Sequence, residues 1–382
     1  MSAENYAADL DFLKQHTKVV ELAFPGGGKK RRVAVAPDLA GRVMTSCLDG
    51  PDGASFGWLN RGLIASGKSD PHFNNYGGED RFWLGPEGGQ YALWFAKGEP
   101  FDTAHWKTPE GFDSGGFTVT SQGPHSVAMT AHFDVTNFYG TTFQCAVKRT
   151  ISTLTRDRIA ECLGATPGAN VRMVAFASSN TLVNAGGPWQ KDNGLLSIWI
   201  LGQFKPLPAG KVIVPFLRGD KATLGPAAST DYFGPLTSER CKVLDDHLLF
   251  ACDGMYRSKI GVAPARARNV LGSYDPQAKL LTIVQFNLPA GAARLPYVNS
   301  LWKMQDRPYA GDAVNSYNDG EEKPGSGQLG GFYEIETSSP AAELAGGGSV
   351  THIHRTFHFA GDYGDLNDLS IRALGVDLSE VG

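Results

Sequence analysis

An all-β protein built from antiparallel strands is what this sequence predicts, and three observations carry the expectation. Short runs rich in Val, Ile, Thr, Phe and Tyr recur along all 382 residues, and these types fit a pleated, half-buried surface. Turn-forming residues separate the runs, drawn from 47 glycines and 22 prolines. Helical spacing is read only over residues 4 to 15.

Taken in order, residues 1–17 form an N-terminal helical segment with Tyr6, Leu10 and Leu13 on one side. "KVVELAF", "RRVAVAP" and "GRVMTSCL" then read as strands. "FTVTSQG", "SVAMTAHFDV", "TTFQCAVKRTIS" and "VRMVAFASSNTLV" follow, and then "LLSIWIL", "KVIVPFL", "HLLFACDG" and "LLTIVQFN". "GFYEIET" and "SVTHIHRTFHF" close the series. So many runs suit one large two-sheet sandwich or barrel filling residues 1–382 as a single domain. No period of roughly 20 to 50 residues repeats, which argues against a propeller or solenoid.

Composition narrows the function. Hydrophobic residues make up 42% of the chain, enough for a substantial core. The net charge of −4 arises from acidic and basic residues mixed along the chain. No basic block points to nucleic acid, and no apolar stretch has the length of a membrane helix. The N-terminus lacks a basic stretch followed by an apolar one, so the sequence reads as cytoplasmic. Five cysteines with no CxxC pair read as reduced and structural.

Two long segments, residues 50–116 and 288–329, are poor in strand pattern and rich in polar and aromatic residues. They are the expected walls of a cleft on a rigid sheet. The first holds "DPHFNNYGGEDRFWLGPEGGQYALWF", with His72, Asp80, Arg81, Trp83 and Glu87 among its candidates. The second supplies Asn299, Trp302, Lys303 and Asn318. Hydrogen-bonding groups interleaved with flat rings suit a carbohydrate, whose hydroxyls need donors and acceptors and whose apolar face stacks on an aromatic. Surface excursions held together by their own aromatics would have the same composition.

"GGFYEIETSSPAAEL" places Glu334 and Glu336 on one face of a strand, with Cα atoms about 6.5 to 7 Å apart. Repulsion and burial would raise one pKa toward neutrality, as a general base requires. Pairing with an arginine such as Arg81 is the alternative. His352, His354 and His358 share one face of the last run, with Ile353, Phe357 and Phe359 opposite. The apolar face is assigned to the core and the histidines away from it. No third metal ligand is nominated, and neither a metal nor another cofactor is expected.

The C-terminal third resembles galactose mutarotase (aldose 1-epimerase) and its relatives. The resemblance rests on "GGFYEIETSSPAAEL", on "GGGSVTHIHRTFHF" after it, and on "DDHLLF" and "GSYDPQAKLLTIVQFNLP" upstream. "GGEDRFWLGPEGGQ", "GLLSIWILGQF" and "PYVNSLWKMQDRPYAGDAVNSYNDG" are similar to an uncharacterised mutarotase-like bacterial family over nearly the whole chain. The resemblance implies a large antiparallel supersandwich. It places the family's base on Glu336, with Glu334 as the fallback, and its sugar-gripping aspartate on Asp246, or Asp245 if the register slips. It also implies a departure: where mutarotases carry an acid histidine after an asparagine, "SSNTLVNAGGPW" has Ala185 after Asn184.

The expectation is therefore a carbohydrate-binding, carbohydrate-active protein, an epimerase using acid/base catalysis. The alternatives are a non-catalytic sugar-binding protein and a lyase- or hydrolase-like enzyme on the same fold. The partner expected is a sugar or sugar derivative, not nucleic acid or membrane.

Overall fold

A computed structural model describes residues 5–28, 30–113, 115–230, 232–323 and 325–381. In chain order the first strands are β1 (Val20–Ala23), β2 (Arg32–Ala36), β3 (Arg42–Cys47), β4 (Arg81–Gly85), β5 (Thr118–Gln122) and β6 (Ser126–Thr136). Then come β7 (Thr142–Thr153), β8 (Arg172–Asn184), β9 (Ser197–Phe204), β10 (Lys211–Pro215), β11 (Cys241–Val243) and β12 (His247–Ala251). The last are β13 (Ser258–Val262), β14 (Val270–Asp275), β15 (Leu280–Phe286), β16 (Val314–Asn318), β17 (Tyr333–Ser338) and β18 (Ser349–Ala360).

These strands form three antiparallel sheets. β1-β2-β3 is a small sheet, β11-β12-β10-β14-β15-β18-β8-β7-β6-β5 a ten-stranded one, and β13-β16-β17-β9-β4 a five-stranded one. Side-chain alternation decides how they meet. Along β7, Phe143, Cys145, Val147 and Ile151 are buried, while Thr142, Gln144 and Lys148 are exposed. The five-stranded sheet is buried on both faces, so "SIWILGQF" of β9 is buried at every position rather than alternating.

The layer between the two large sheets is partly polar, and this corrects two expectations. His352, His354 and His358 point inward, not away from the core: Thr337 Oγ1 lies 2.7 Å from His352 Nε2 and 2.9 Å from His354 Nδ1. His358 Nε2 lies 2.9 Å from Glu79 Oε2, which also accepts from Ser46 Oγ. Asp80 is equally buried. It pairs with Arg149 Nη2 at 2.5 Å and accepts from Ser178 Oγ at 2.7 Å. A buried charge needs such partners, and the layer supplies them. Ile353, placed in the core by its apolar character, lies on the opposite, partly exposed side of β18.

Helix α1 (Tyr6–His16) begins where Asn5 Oδ1 accepts from Ala8 N at 2.9 Å, an N-cap. Tyr6, Asp9 and Leu13 are its buried residues. The structure adds α2 (Arg61–Ser66), α3 (Arg156–Leu163), α4 (Lys221–Leu224) and α5 (Tyr363–Ala373). In α5 the buried Leu366, Leu369, Ser370 and Ala373 follow the i, i+3, i+4, i+7 spacing of a core-facing stripe. Among the described residues no helix is long and apolar enough to cross a membrane.

Candidate functional site

The outward face of the five-stranded sheet is the floor of a cleft of about 570 Å³. Residues directly opposite one another in antiparallel strands share a face. The register aligns Arg81 with Leu201, Leu201 with Glu336, and Glu336 with Asn315. Gln203, Glu334, Tyr317 and Lys259 make the neighbouring row. Trp83 and Trp199 lie opposite each other one step further along. One sheet face thus gathers acidic, basic and aromatic side chains from residue 81 to residue 336.

The two segments read as walls do enclose this floor. His72, Phe73, Glu87, Thr103 and Trp106 come from the first, and Trp302, Asp319, Gly320, Glu322 and residues 326–329 from the second. Reciprocal bonds tie them together: Gln90 Nε2 donates to Gln305 O at 2.9 Å, and Gln305 N donates to Gln90 Oε1 at 3.1 Å. A Cβ on Gly88 would sit 2.4 Å from the Leu301 carbonyl oxygen, so only glycine lets the turn bearing Glu87 approach the Trp302 segment this closely. Asp319 anchors the last part of the wall. Its Oδ2 accepts from Gly330 N at 2.7 Å and Gly331 N at 2.9 Å, and its Oδ1 accepts from Tyr317 OH.

Charge is arranged as ion pairs on an aromatic bed. Arg81 Nη2 lies 2.5 Å from Glu334 Oε1, and the guanidinium carbon sits 4.0 Å from the Trp83 ring centre. Lys259 Nζ lies 3.0 Å from Glu336 Oε2, which also accepts from Trp199 Nε1 at 2.9 Å. Glu87 Oε1 accepts from Trp106 Nε1 at 2.9 Å. Burial pushes the Glu334 carboxyl up to about 8. Arg81 opposes that rise, and the Glu336 charge two residues away adds to it. The short contact with Arg81 favours the ionised form, but loss of hydration and the second carboxylate outweigh it. Burial raises Glu87 too, against the pull of Lys259 and the Trp106 N–H. For Lys259 burial works downward, but Glu336, Glu87 and Glu334 together lift it above the usual lysine range.

Of the residues singled out from sequence, His72, Arg81, Trp83, Glu87, Trp302 and Glu334 line the cleft. Glu336 lies directly behind it, fully buried under Lys259 and Trp199. Asp80 and Asn318 do not reach it, because each precedes or follows a floor residue and alternation sends it to the other face. Asn318 instead bonds Asp253 Oδ1, the Tyr256 carbonyl and Gly254 N. Asp246 sits at the β12 end of the ten-stranded sheet, paired with Arg218 and bonded to His247. Asn299 and Lys303 stay outside the cleft lining: Asn299 Oδ1 accepts from Leu301 N, and Lys303 is exposed. Ala185 lines a separate shallow depression with His132 and Gln144, so the missing histidine there does not bear on the cleft.

Sequence reasoning missed Lys259, Trp199, Trp106, Gln203 and Arg257, all of which line the cleft. A lysine inside the apolar run "SKIGV" was the available signal for the first, because a buried lysine needs a partner. Among the described residues no cluster of His, Cys, Asp and Glu is arranged to hold a metal ion.

A large, mostly antiparallel β-sandwich with a polar-aromatic cleft is the class of protein that the fold and the site define. The chain belongs to the family of unknown function DUF6786, which it matches over residues 4–382. The Slr1438 protein from Synechocystis sp. PCC 6803 shares the fold with a TM-score of 0.51 at 10% identity, covering 90% of this chain and 96% of that one. A candidate aldose 1-epimerase from Escherichia coli K12 is similar with a TM-score of 0.49 at 14% identity, over 89% and 98% of the two chains. For a galactose mutarotase-like protein from Lactobacillus casei the values are 0.45 and 10%, over 90% and 100%. No curated protein matches the chain.

Proposed function

We propose that this chain binds a carbohydrate in the cleft and transfers protons on it, in the manner of an aldose epimerase. The observation that carries the reading is the Glu334 carboxyl on the cleft floor, held by Arg81 and set among Trp83, Trp106, Trp199 and Trp302. Rings offer faces for stacking, Gln203 and Lys259 offer donors to hydroxyls, and the Tyr317 oxygen, whose hydrogen goes to Asp319, offers an acceptor. Interchange of anomers needs one group to protonate the ring oxygen and another to take the proton of the anomeric hydroxyl. Glu334, carrying its proton near neutrality, serves as the donor. His72 serves as the acceptor: its Nδ1 faces the Trp106 carbonyl at 3.2 Å, so Nδ1 bears the hydrogen and Nε2 the lone pair. Glu336 acts behind Glu334 as the charge that favours its protonated form, against the opposing pull of Arg81 and Lys259.

The test is NMR exchange spectroscopy of α and β anomers over a panel of aldoses. Accelerated exchange that is lost in Glu334→Gln and retained in Glu336→Gln to a larger degree supports the assignment. If no aldose is accelerated while saccharides still bind, the chain is a sugar-binding protein, the reading favoured by both carboxylates being already ion-paired.

A further inference from the structure

The cleft does not end at Glu334. A second cavity of about 230 Å³ opens beside it, and the two share Glu87, Thr103, Phe233, Arg257, Lys259 and Trp302 in their linings. The larger alone lies within the roughly 300–1,000 Å³ of pockets that take drug-sized ligands, well beyond a single hexose. Aromatic rings line both: Trp106 and Trp302 stand 6.3 Å apart with ring planes 24° from parallel, and Trp302 and Phe233 line each cavity.

The charges say what such a ligand carries. Among the described residues the Arg and Lys side chains lining the cleft are already engaged: Arg81, 3% exposed, by the Glu334 carboxyl at 2.5 Å, Lys259 by the buried Glu336 at 3.0 Å and Arg257 by the half-exposed Glu322 at 2.8 Å. Glu87 adds a carboxylate whose bond is to an indole N–H rather than to a cation. A ligand carboxylate or phosphate taking Lys259 would leave the fully buried Glu336 without its cation, which is costly, and Arg81 has almost no surface to offer one.

Resting on the carbohydrate reading above, we infer that the ligand is an uncharged saccharide of at least two units. One unit lies over the Glu334 floor, and the next is stacked between Trp302 and Phe233. This arrangement gives Trp302 and Phe233 a role that a single-sugar epimerase would not need. It also sets the specificity: neutral sugars enter, and uronates and sugar phosphates are refused.

Isothermal titration of the full chain with glucose and galactose, then cellobiose, maltose and lactose, and finally glucuronate, galacturonate and glucose 6-phosphate tests this. At least one disaccharide is expected to bind about tenfold or more tighter than its monosaccharides, the size of effect one stacked ring supplies. Phe233→Ala should erase most of that advantage while leaving monosaccharide affinity within about twofold, and Phe233→Tyr should restore it. Thermal unfolding of both variants guards against a folding defect. Equal affinity for mono- and disaccharides would overturn the two-unit inference, and tighter binding of an acidic sugar would overturn the neutral one. In both cases the carbohydrate reading itself would stand. Failure of every saccharide to bind would overturn that reading and this inference together.

Discussion

Arg81 Nη2 and Glu334 Oε1 meet at 2.5 Å although 253 residues separate them along the chain. They come from β4 and β17, with β9 between them, so the contact spans a whole strand of the five-stranded sheet. Both side chains are almost wholly buried, 3% and 6% exposed. The pair therefore does two things at once: it closes the sheet electrostatically and fixes the carboxyl that faces the cleft.

Removing Glu334 alone should be far worse than removing both partners. Glu334→Leu leaves the buried Arg81 guanidinium without its partner and is expected to cost about 3–5 kcal/mol, while Arg81→Met costs less because Glu334 can hold its proton. Arg81→Met with Glu334→Leu should cost much less than the two single losses combined. Guanidinium unfolding of the four proteins of this double-mutant cycle gives the coupling directly. A Glu334→Leu loss below about 1 kcal/mol would mean that the pair behaves as a solvated surface contact.

The fit between the two walls rests on Gly88. In Gly88→Ala the new methyl would lie 2.4 Å from the Leu301 carbonyl oxygen, too close for any real contact. The turn carrying Glu87 must then move away from Trp302, at a cost of about 1–3 kcal/mol. Reduced saccharide affinity together with a lower Tm is the expected result. An unchanged affinity would show that the walls act independently.

Acid should attack the protein through its inter-sheet histidines. Burial holds His352 down at about 3, with His354 adding to the effect, and holds His354 at about 4. Unfolded histidines titrate near 6.5. Between these values the unfolded chain binds more protons than the native one, so stability falls as pH drops below about 6.5. Two such groups give a slope of up to about 2.7 kcal/mol per pH unit. Unfolding free energies measured from pH 7 to pH 4 test this, and His352→Gln should flatten the slope by about half. An unaltered slope would place the acid sensitivity elsewhere.

Most strand runs were legible in the sequence because period-two patterning and turn residues are local signals, but β4 and β16 lie inside the two segments read as walls, and β13 was not read as a strand. The histidine run misled for a physical reason. An amphipathic strand is read with its apolar side inward, but β18 has both faces covered over much of its length, and the inter-sheet layer is where the polar side went. Asp80 and Asn318 were misplaced by a single residue of alternation, which sends a side chain to the opposite face of the sheet. Asp246 was carried by resemblance rather than by patterning, and it lies at the wrong end of the ten-stranded sheet. Lys259 escaped because its value lies in what faces it, and Glu336 is 77 residues away.

The titration of Glu334 offers the sharpest test of its assignment, because stability and catalysis should report the same proton. Its carboxyl is pushed from an ordinary value of 4.5 up to about 8, first by burial and then by Glu336, against Arg81. Between those values the native state holds a proton that the unfolded chain has lost. The stabilising contribution is therefore complete below about pH 4.5 and vanishes as pH rises through about 8, falling by up to about 1.4 kcal/mol per pH unit in that window. Glu334→Gln cannot titrate, so the difference between wild type and variant isolates this group from the histidines, whose effect has the opposite sign and is over by pH 7. If Glu334 is the proton donor, anomer exchange in the wild type should also decline above pH 8, about tenfold per unit. A stability difference that is flat from pH 5 to pH 8.5 would show Glu334 to be ionised throughout and tied to Arg81 as a structural pair. Exchange that rises above pH 8 would make it the base rather than the acid.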